Sequence, residues 1–170
     1  MLTLILLRHA KSAWDDPALD DHDRPLNKRG RHAADAMGTW MAGQGIRPDL
    51  VLCSTALRAC QTLDGVLPHL GTPEVMYESG LYLASSSRLI ARIRRVERGV
   101  AGVLLIGHEP GIGQAAVALA RSASAPDDFP RMQARFPTGA LAWIVFDAPV
   151  WADIGLSKGY LKKFICPKEL

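Results

Sequence analysis

Four short runs of almost unbroken apolar residues, Leu2 to Leu7, Leu50 to Cys53, Val103 to Ile106 and Ala140 to Phe146, constrain this chain more than any other feature. A strand with one face in water alternates apolar and polar residues. Runs that are apolar at consecutive positions belong to strands covered on both faces, as in a mostly parallel sheet. Such a sheet needs helices between its strands, and the intervening segments supply them. From Asn27 to Gln44, Ala33, Ala36, Met37, Trp40 and Met41 recur at helical spacing, with Asn27 as the cap and Gly43 and Gly45 near the end. Ser54 or Thr55 can cap a second helix that Pro68 stops. Ser85 to Val96 carries Leu89, Ile90, Ile93 and Val96 on one face, and Pro110 can open a further helix running to about Arg121. Ser122 to Thr138, rich in Ser, Ala, Pro, Asp and Arg, reads as a long surface loop. The expected fold is α/β, a three-layer α/β/α sandwich with a mostly parallel central sheet, formed by residues 1–170 as one domain.

Composition excludes several function classes. At 48% hydrophobic and 22% charged residues the chain does not have the composition of a disordered protein. A net charge of +3 tolerates an anionic substrate but does not argue for nucleic acid. The five arginines at 88, 92, 94, 95 and 98 read as a solvated basic face. Cys53, Cys60 and Cys166 are odd in number and form no CxxC pair, and the five histidines have no zinc spacing, so no metal or other cofactor is expected. The run Leu2 to Leu7 is too short for a signal peptide, and no segment approaches the roughly 20 apolar residues that span a bilayer. A cytoplasmic protein with neither membrane nor nucleic acid as partner is the expectation. The oligomeric state is left open.

In open α/β sheets, ligands bind beyond the carboxyl ends of the strands. Here those ends read Arg8-His9-Ala10-Lys11-Ser12, Ser54-Thr55-Ala56-Leu57-Arg58 and Gly107-His108-Glu109-Pro110-Gly111. They deliver two arginines and two histidines to one edge. Two of them also open helices, whose first N–H groups favour an anion. An arginine fork binds two phosphate oxygens at once, and a histidine can split one hard hydrolysis into transfer to nitrogen and then to water. Neighbouring strand residues point to opposite faces, so Arg8 and His9 can share a pocket only if the strand has already bent there.

Competing motifs are weaker. Gly111-Ile112-Gly113-Gln114-Ala115-Ala116 fits GxGxxA but lacks the acidic residue of a dinucleotide site, and Gly107 to Gly113 lacks the Lys-Ser/Thr of a P-loop. Cys53 and Arg58 are one residue too close for the loop of a cysteine-dependent phosphatase, and Cys53 lies inside an apolar run.

Taken with Asp23-Arg24-Pro25-Leu26-Asn27-Lys28-Arg29-Gly30, Ala59-Cys60-Gln61-Thr62 and Pro137-Thr138-Gly139-Ala140, the strand-end segments resemble the histidine phosphatase superfamily, and within it the SixA-type phosphohistidine phosphatase branch. The resemblance extends from the first strand to Ala140. It implies that His9 attacks phosphorus, that Arg8, Arg58 and His108 hold the phosphoryl oxygens, and that Arg24 reaches the pocket as a further phosphate contact. Larger members carry a glycine after the histidine and an insertion with a carboxylate proton donor. Here Ala10 follows His9, the insertion is short, and Glu78 is the nearest candidate donor. Because little chain is available for a lid, the pocket should be shallow. The implied activity is a metal-independent phosphatase acting on protein phosphohistidine. The alternatives are a small-molecule phosphomonoesterase of the same family and a non-catalytic module that binds phosphate or a phosphoprotein.

Overall fold

The computed structural model describes residues 1–170. Its centre is a seven-stranded sheet in the order β3-β2-β4-β1-β6-β7-β5, built from β1 (Leu2–Arg8), β2 (Leu50–Ser54), β3 (Glu74–Glu78), β4 (Gly102–Gly107), β5 (Ala120–Ala123), β6 (Leu141–Phe146) and β7 (Gly159–Ile165). β3, β2, β4 and β1 pair in parallel, β6 runs antiparallel to both β1 and β7, and β5 pairs in parallel with β7. The four expected apolar runs are β1, β2, β4 and β6.

Alternation along these strands separates two cores. Leu4 and Leu6 of β1, Leu52 of β2 and Leu105 of β4 face a cluster built with α3 (Ser86–Arg94) and α4 (Gly111–Leu119). Ile5, Leu7, Val51, Cys53, Leu104 and Ile106 face the other side, where α1 (Lys28–Gly43) supplies Met37 and Met41 and α2 (Leu57–Val66) supplies Leu63 and Val66. Helices therefore cover both faces, and the fold is the expected three-layer α/β sandwich. Each fully buried leucine or isoleucine contributes roughly 1.5–3 kcal/mol, so the sheet is stabilised from both sides.

The helix termini follow the local chemistry. Asn27 caps α1 by accepting from the Gly30 N–H, and Ser85 caps α3 through the Arg88 N–H. α2 begins later than the Ser54 or Thr55 cap would place it. Its cap is Ala56, and Ser54 Oγ instead accepts from the Ala56 N–H and fixes the turn before the helix. Pro110 is the cap of α4, not its first residue, and the helix ends at Leu119.

The reading of Ser122 to Thr138 as loop needs correction. β5 ends in this stretch, and α5 (Asp128–Ala134) lies within it. The polar composition conceals Met132 and Phe136, which are buried, and Asp128, which is 2% exposed. The Asp128 carboxylate accepts from the Phe164 N–H of β7 at 3.0 Å and pairs with Arg131 and Lys163. A long-range strand contact, absent from any local pattern, holds α5 in place.

Candidate active site

The parallel register brings the strand ends into one row: Arg8 of β1 lies opposite Gly107 of β4, whose Ile106 lies opposite Cys53 of β2. β1 ends at Arg8, so His9 is free of the strand's alternation, and both side chains reach a single pocket of about 330 Å³. Arg24, Arg58 and His108 line it too, as does the exposed Trp14, whose ring lies 3.5 Å from the Arg24 guanidinium carbon. Every arginine and histidine that the sequence nominates is thus brought together. Three of the lining residues, His9, Arg58 and His108, are themselves buried, at 6%, 3% and 3% exposed.

His9 is held in one tautomer. Its Nδ1 lies 2.7 Å from the Ala10 carbonyl oxygen, which can only accept, so Nδ1 carries the proton and Nε2 keeps its lone pair. That lone pair faces Arg58 Nε at 3.4 Å. Burial lowers the His9 pKa to about 4, helped by the charges of Arg58, Arg8 and Arg24 and opposed by the Ala10 hydrogen bond. His108 is lowered to about 3 by burial first and then by His9 and Arg58. Arg58 Nη2 lies 3.4 Å from His108 Nδ1, and Nε2 of the same ring is in hydrogen-bond contact with Ser54 Oγ at 2.7 Å. Two neutral imidazoles flanking a guanidinium can offer one nucleophilic nitrogen and a set of oxyanion donors.

The arginines are themselves positioned. Arg8 Nη1 donates to the Phe136 carbonyl, while its buried Nε has no protein partner. Arg58 donates to the Asp21 carbonyl at 2.6 Å and to the Asp21 carboxylate at 2.9 Å. Arg24 bonds the other oxygen of that carboxylate and Ser12 Oγ, and the Tyr82 hydroxyl donates to Asp21 as well. These contacts hold the Asp21 carboxyl well below the usual carboxylate range, the Tyr82 hydrogen bond having the largest effect. Asp21 is a member of the site that sequence reasoning passed over.

The loop after β1 is fixed from two sides. Thr62 of α2 accepts from the Ala10 N–H at 2.9 Å and donates to the Arg58 carbonyl at 2.7 Å, tying the His9 loop to the helix that carries Arg58. On the other side, α1 packs so closely that a Cβ at Gly30 would run into the Lys11 backbone carbonyl, which accounts for glycine there.

Glu78 is not brought to this pocket. It ends β3, and Arg92 of α3 donates to both oxygens of its carboxylate at 2.7–3.0 Å, which orients the side chain onto α3. Arg92 is in turn removed from the supposed solvated basic face. The carboxylate that does line the pocket is Glu109, directly after His108. Its Oε1 accepts from the Gly113 N–H at 2.6 Å, and a Cβ at Gly113 would meet that carboxylate. Burial raises its pKa, so it can hold a proton more readily than a surface glutamate. No group of three or more His, Cys, Asp or Glu side chains is arranged to hold a metal ion, and no helix is long and apolar enough to cross a membrane.

Comparison with known proteins agrees with this geometry. The histidine phosphatase superfamily (branch 1) model matches residues 4–82, the stretch holding Arg8, His9, Arg24 and Arg58. An uncharacterized protein of Mycobacterium tuberculosis is 39% identical over 95% of this chain and all of its own length. Phosphohistidine phosphatase SixA of Escherichia coli is 32% identical over 86% of each chain. A solved structure from Nakamurella multipartitia, provisionally assigned as phosphohistidine phosphatase SixA, superposes with a TM-score of 0.85 at 31% identity, covering 98% of this chain and 96% of its own. With a shared fold, relatives aligned over most of their length and the strand-end residues gathered in one pocket, the chain belongs to the histidine phosphatase superfamily.

Proposed function

We propose that this chain is a phosphatase that forms a covalent phosphohistidine on His9 and removes phosphate from protein phosphohistidine. The observation that carries the reading is the His9 imidazole, neutral and held so that the Nε2 lone pair faces Arg58 inside a pocket of basic side chains. In the first step Nε2 forms a bond to phosphorus as the bond from phosphorus to the leaving imidazole nitrogen breaks. Arg8, Arg58 and His108 hold the non-bridging oxygens, with Arg24 as a further contact, and Glu109 gives a proton to the leaving nitrogen. In the second step water attacks the phosphohistidine, Glu109 takes its proton, and inorganic phosphate leaves with His9 regenerated.

Support comes from the E. coli SixA likeness and from a related solved structure, protein histidine phosphatase SixA complexed with tungstate, which is 26% identical with a TM-score of 0.78. Tungstate is a tetrahedral oxyanion like phosphate. The test is a panel of phosphohistidine proteins and phosphorylated metabolites assayed side by side with the wild type and His9→Ala, together with mass-spectrometric trapping of phosphate on His9 after quenching in base. Preference for phosphohistidine proteins and a His9 adduct are expected. Preference for a metabolite would make the chain a small-molecule phosphomonoesterase, and full activity of His9→Ala would sink the mechanism.

A further inference from the structure

A larger cavity, about 640 Å³, opens beside the pocket and shares Lys11 and Thr138 with it. Beyond the Lys11 and Thr138 segments and Phe164 of β7, its walls come from the first turns of α1, the end of α5, and the C-terminal turn around Lys168. Lys11, Arg29, His32, Arg135 and Lys168 line it with exposed side chains, and none of them pairs with a carboxylate. No aspartate or glutamate is among its lining residues. Arg131, the other cation there, is already held by Asp128 and Glu169. A protein of net charge +3 with 17 acidic residues has enough carboxylates to neutralise such a trench, yet the two that pair with a trench cation, Asp128 and Glu169, both do so at Arg131.

We propose that this trench binds an acidic stretch of the phosphoprotein next to the phosphorylated histidine. The inference rests on the phosphatase reading and adds the charge of the substrate's flank. Small-molecule sites orient their ligands with a few fixed, buried polar groups. None of the buried polar side chains, among them His9, Arg58, His108 and Asp128, lines this trench, and its cations other than Arg131 are exposed and untethered. That arrangement reads charge along a chain and suits a polypeptide better than a metabolite. Single-stranded nucleic acid is bound with exposed aromatic platforms, and the one aromatic residue here, Phe164, is buried.

The test combines binding with turnover. Fluorescence anisotropy with a labelled Glu-rich peptide, a neutral peptide of equal length and a single-stranded oligonucleotide of matched charge reads the trench without any need for catalysis. The acidic peptide should bind best, more weakly as salt rises, and the double variant Arg29→Glu/Lys168→Glu should weaken it by about tenfold or more. Arg29→Lys/Lys168→Arg should retain binding. On a phosphohistidine peptide with an acidic flank the charge-reversed enzyme should show a raised KM with kcat unchanged. Its turnover of p-nitrophenyl phosphate, which fills the pocket alone, should match the wild type and report that it is folded. Equal binding of acidic and neutral peptides, indifference to charge reversal, or tighter binding of the oligonucleotide would each overturn the proposal. Absence of wild-type turnover on both the phosphohistidine peptide and p-nitrophenyl phosphate would instead overturn the phosphatase reading.

Discussion

Arg58 Nε points at His9 Nε2 across 3.4 Å, so a strong donor stands directly beside the lone pair that would attack phosphorus. The planar fork also spans to His108 and Asp21, a geometry that an ammonium cannot copy. Arg58→Lys should lower kcat/KM on a phosphohistidine peptide by about 10²–10³ while leaving the thermal midpoint close to wild type. A loss below about threefold would show that Arg58 serves packing alone.

Asp21 holds Arg58 and Arg24 and is thus an anion already bonded to two arginines of an anion site. Removing its charge should therefore act in two directions. Asp21→Asn should tighten inhibition by tungstate by about tenfold, as the arginines lose a competing carboxylate, and should lower kcat as Arg58 loses its orientation. Inhibition constants measured beside kcat separate the two effects, and unchanged tungstate inhibition would remove the competition.

Much of this arrangement is legible in the chain itself. Arg8, His9, Arg58 and His108 each stand within a few residues of the end of an apolar run, and parallel strands must place those ends on one edge. Asp21 was not legible, because it sits among Asp15, Asp16, Asp20 and Asp23 in a polar stretch whose spacing does not say which carboxylate turns inward. Glu109 follows His108 directly in the chain, yet that adjacency gives no direction to its side chain. Only the Gly113 N–H that receives its carboxylate does so. β7 escaped because Lys162 and Lys163 interrupt its apolar residues, and its pairing with β6 and β5 is long-range.

The two buried imidazoles make stability depend on pH. In the unfolded chain they protonate near 6.5, while in the fold burial delays this to about 4 for His9 and about 3 for His108. Between those values the unfolded state binds more protons, so their contribution is fully present above pH 6.5 and is lost as pH falls toward 4 and 3. The thermal midpoint should be flat just above neutrality and fall progressively in acid, with a shallower fall in His9→Ala and His108→Ala. Proton NMR of the imidazole Cε1–H groups checks the cause, and titration of either ring near 6.5 would contradict it.

Thr62 joins the Ala10 N–H to the Arg58 carbonyl from a wholly buried position. Thr62→Val keeps the shape and leaves the Ala10 N–H without that partner, at a cost of about 1–3 kcal/mol in unfolding free energy. Because the same bond fixes the spacing of His9 and Arg58, kcat should fall as well, and Thr62→Ser should restore both. Denaturant unfolding beside steady-state kinetics provides the check. Restoration of stability without activity would separate the tether from the chemistry.

Glu109 and Gly113 offer the sharpest test of the proton donor. Glu109→Gln keeps a carbonyl oxygen to accept from the Gly113 N–H and removes the ionisable carboxyl proton. Its effect should grow with the basicity of the leaving group: small on p-nitrophenyl phosphate, whose phenolate leaves unaided, and larger on alkyl phosphates. Gly113→Ala acts on the same carboxylate from behind, since its new methyl would displace the side chain without touching His9. If Glu109 supplies the proton, the two substitutions should show the same leaving-group dependence, and the double variant should be no worse than the poorer single one. Additive losses would mean that Gly113→Ala injures the pocket by another route, while a Glu109→Gln enzyme indifferent to the leaving group would remove Glu109 from the mechanism.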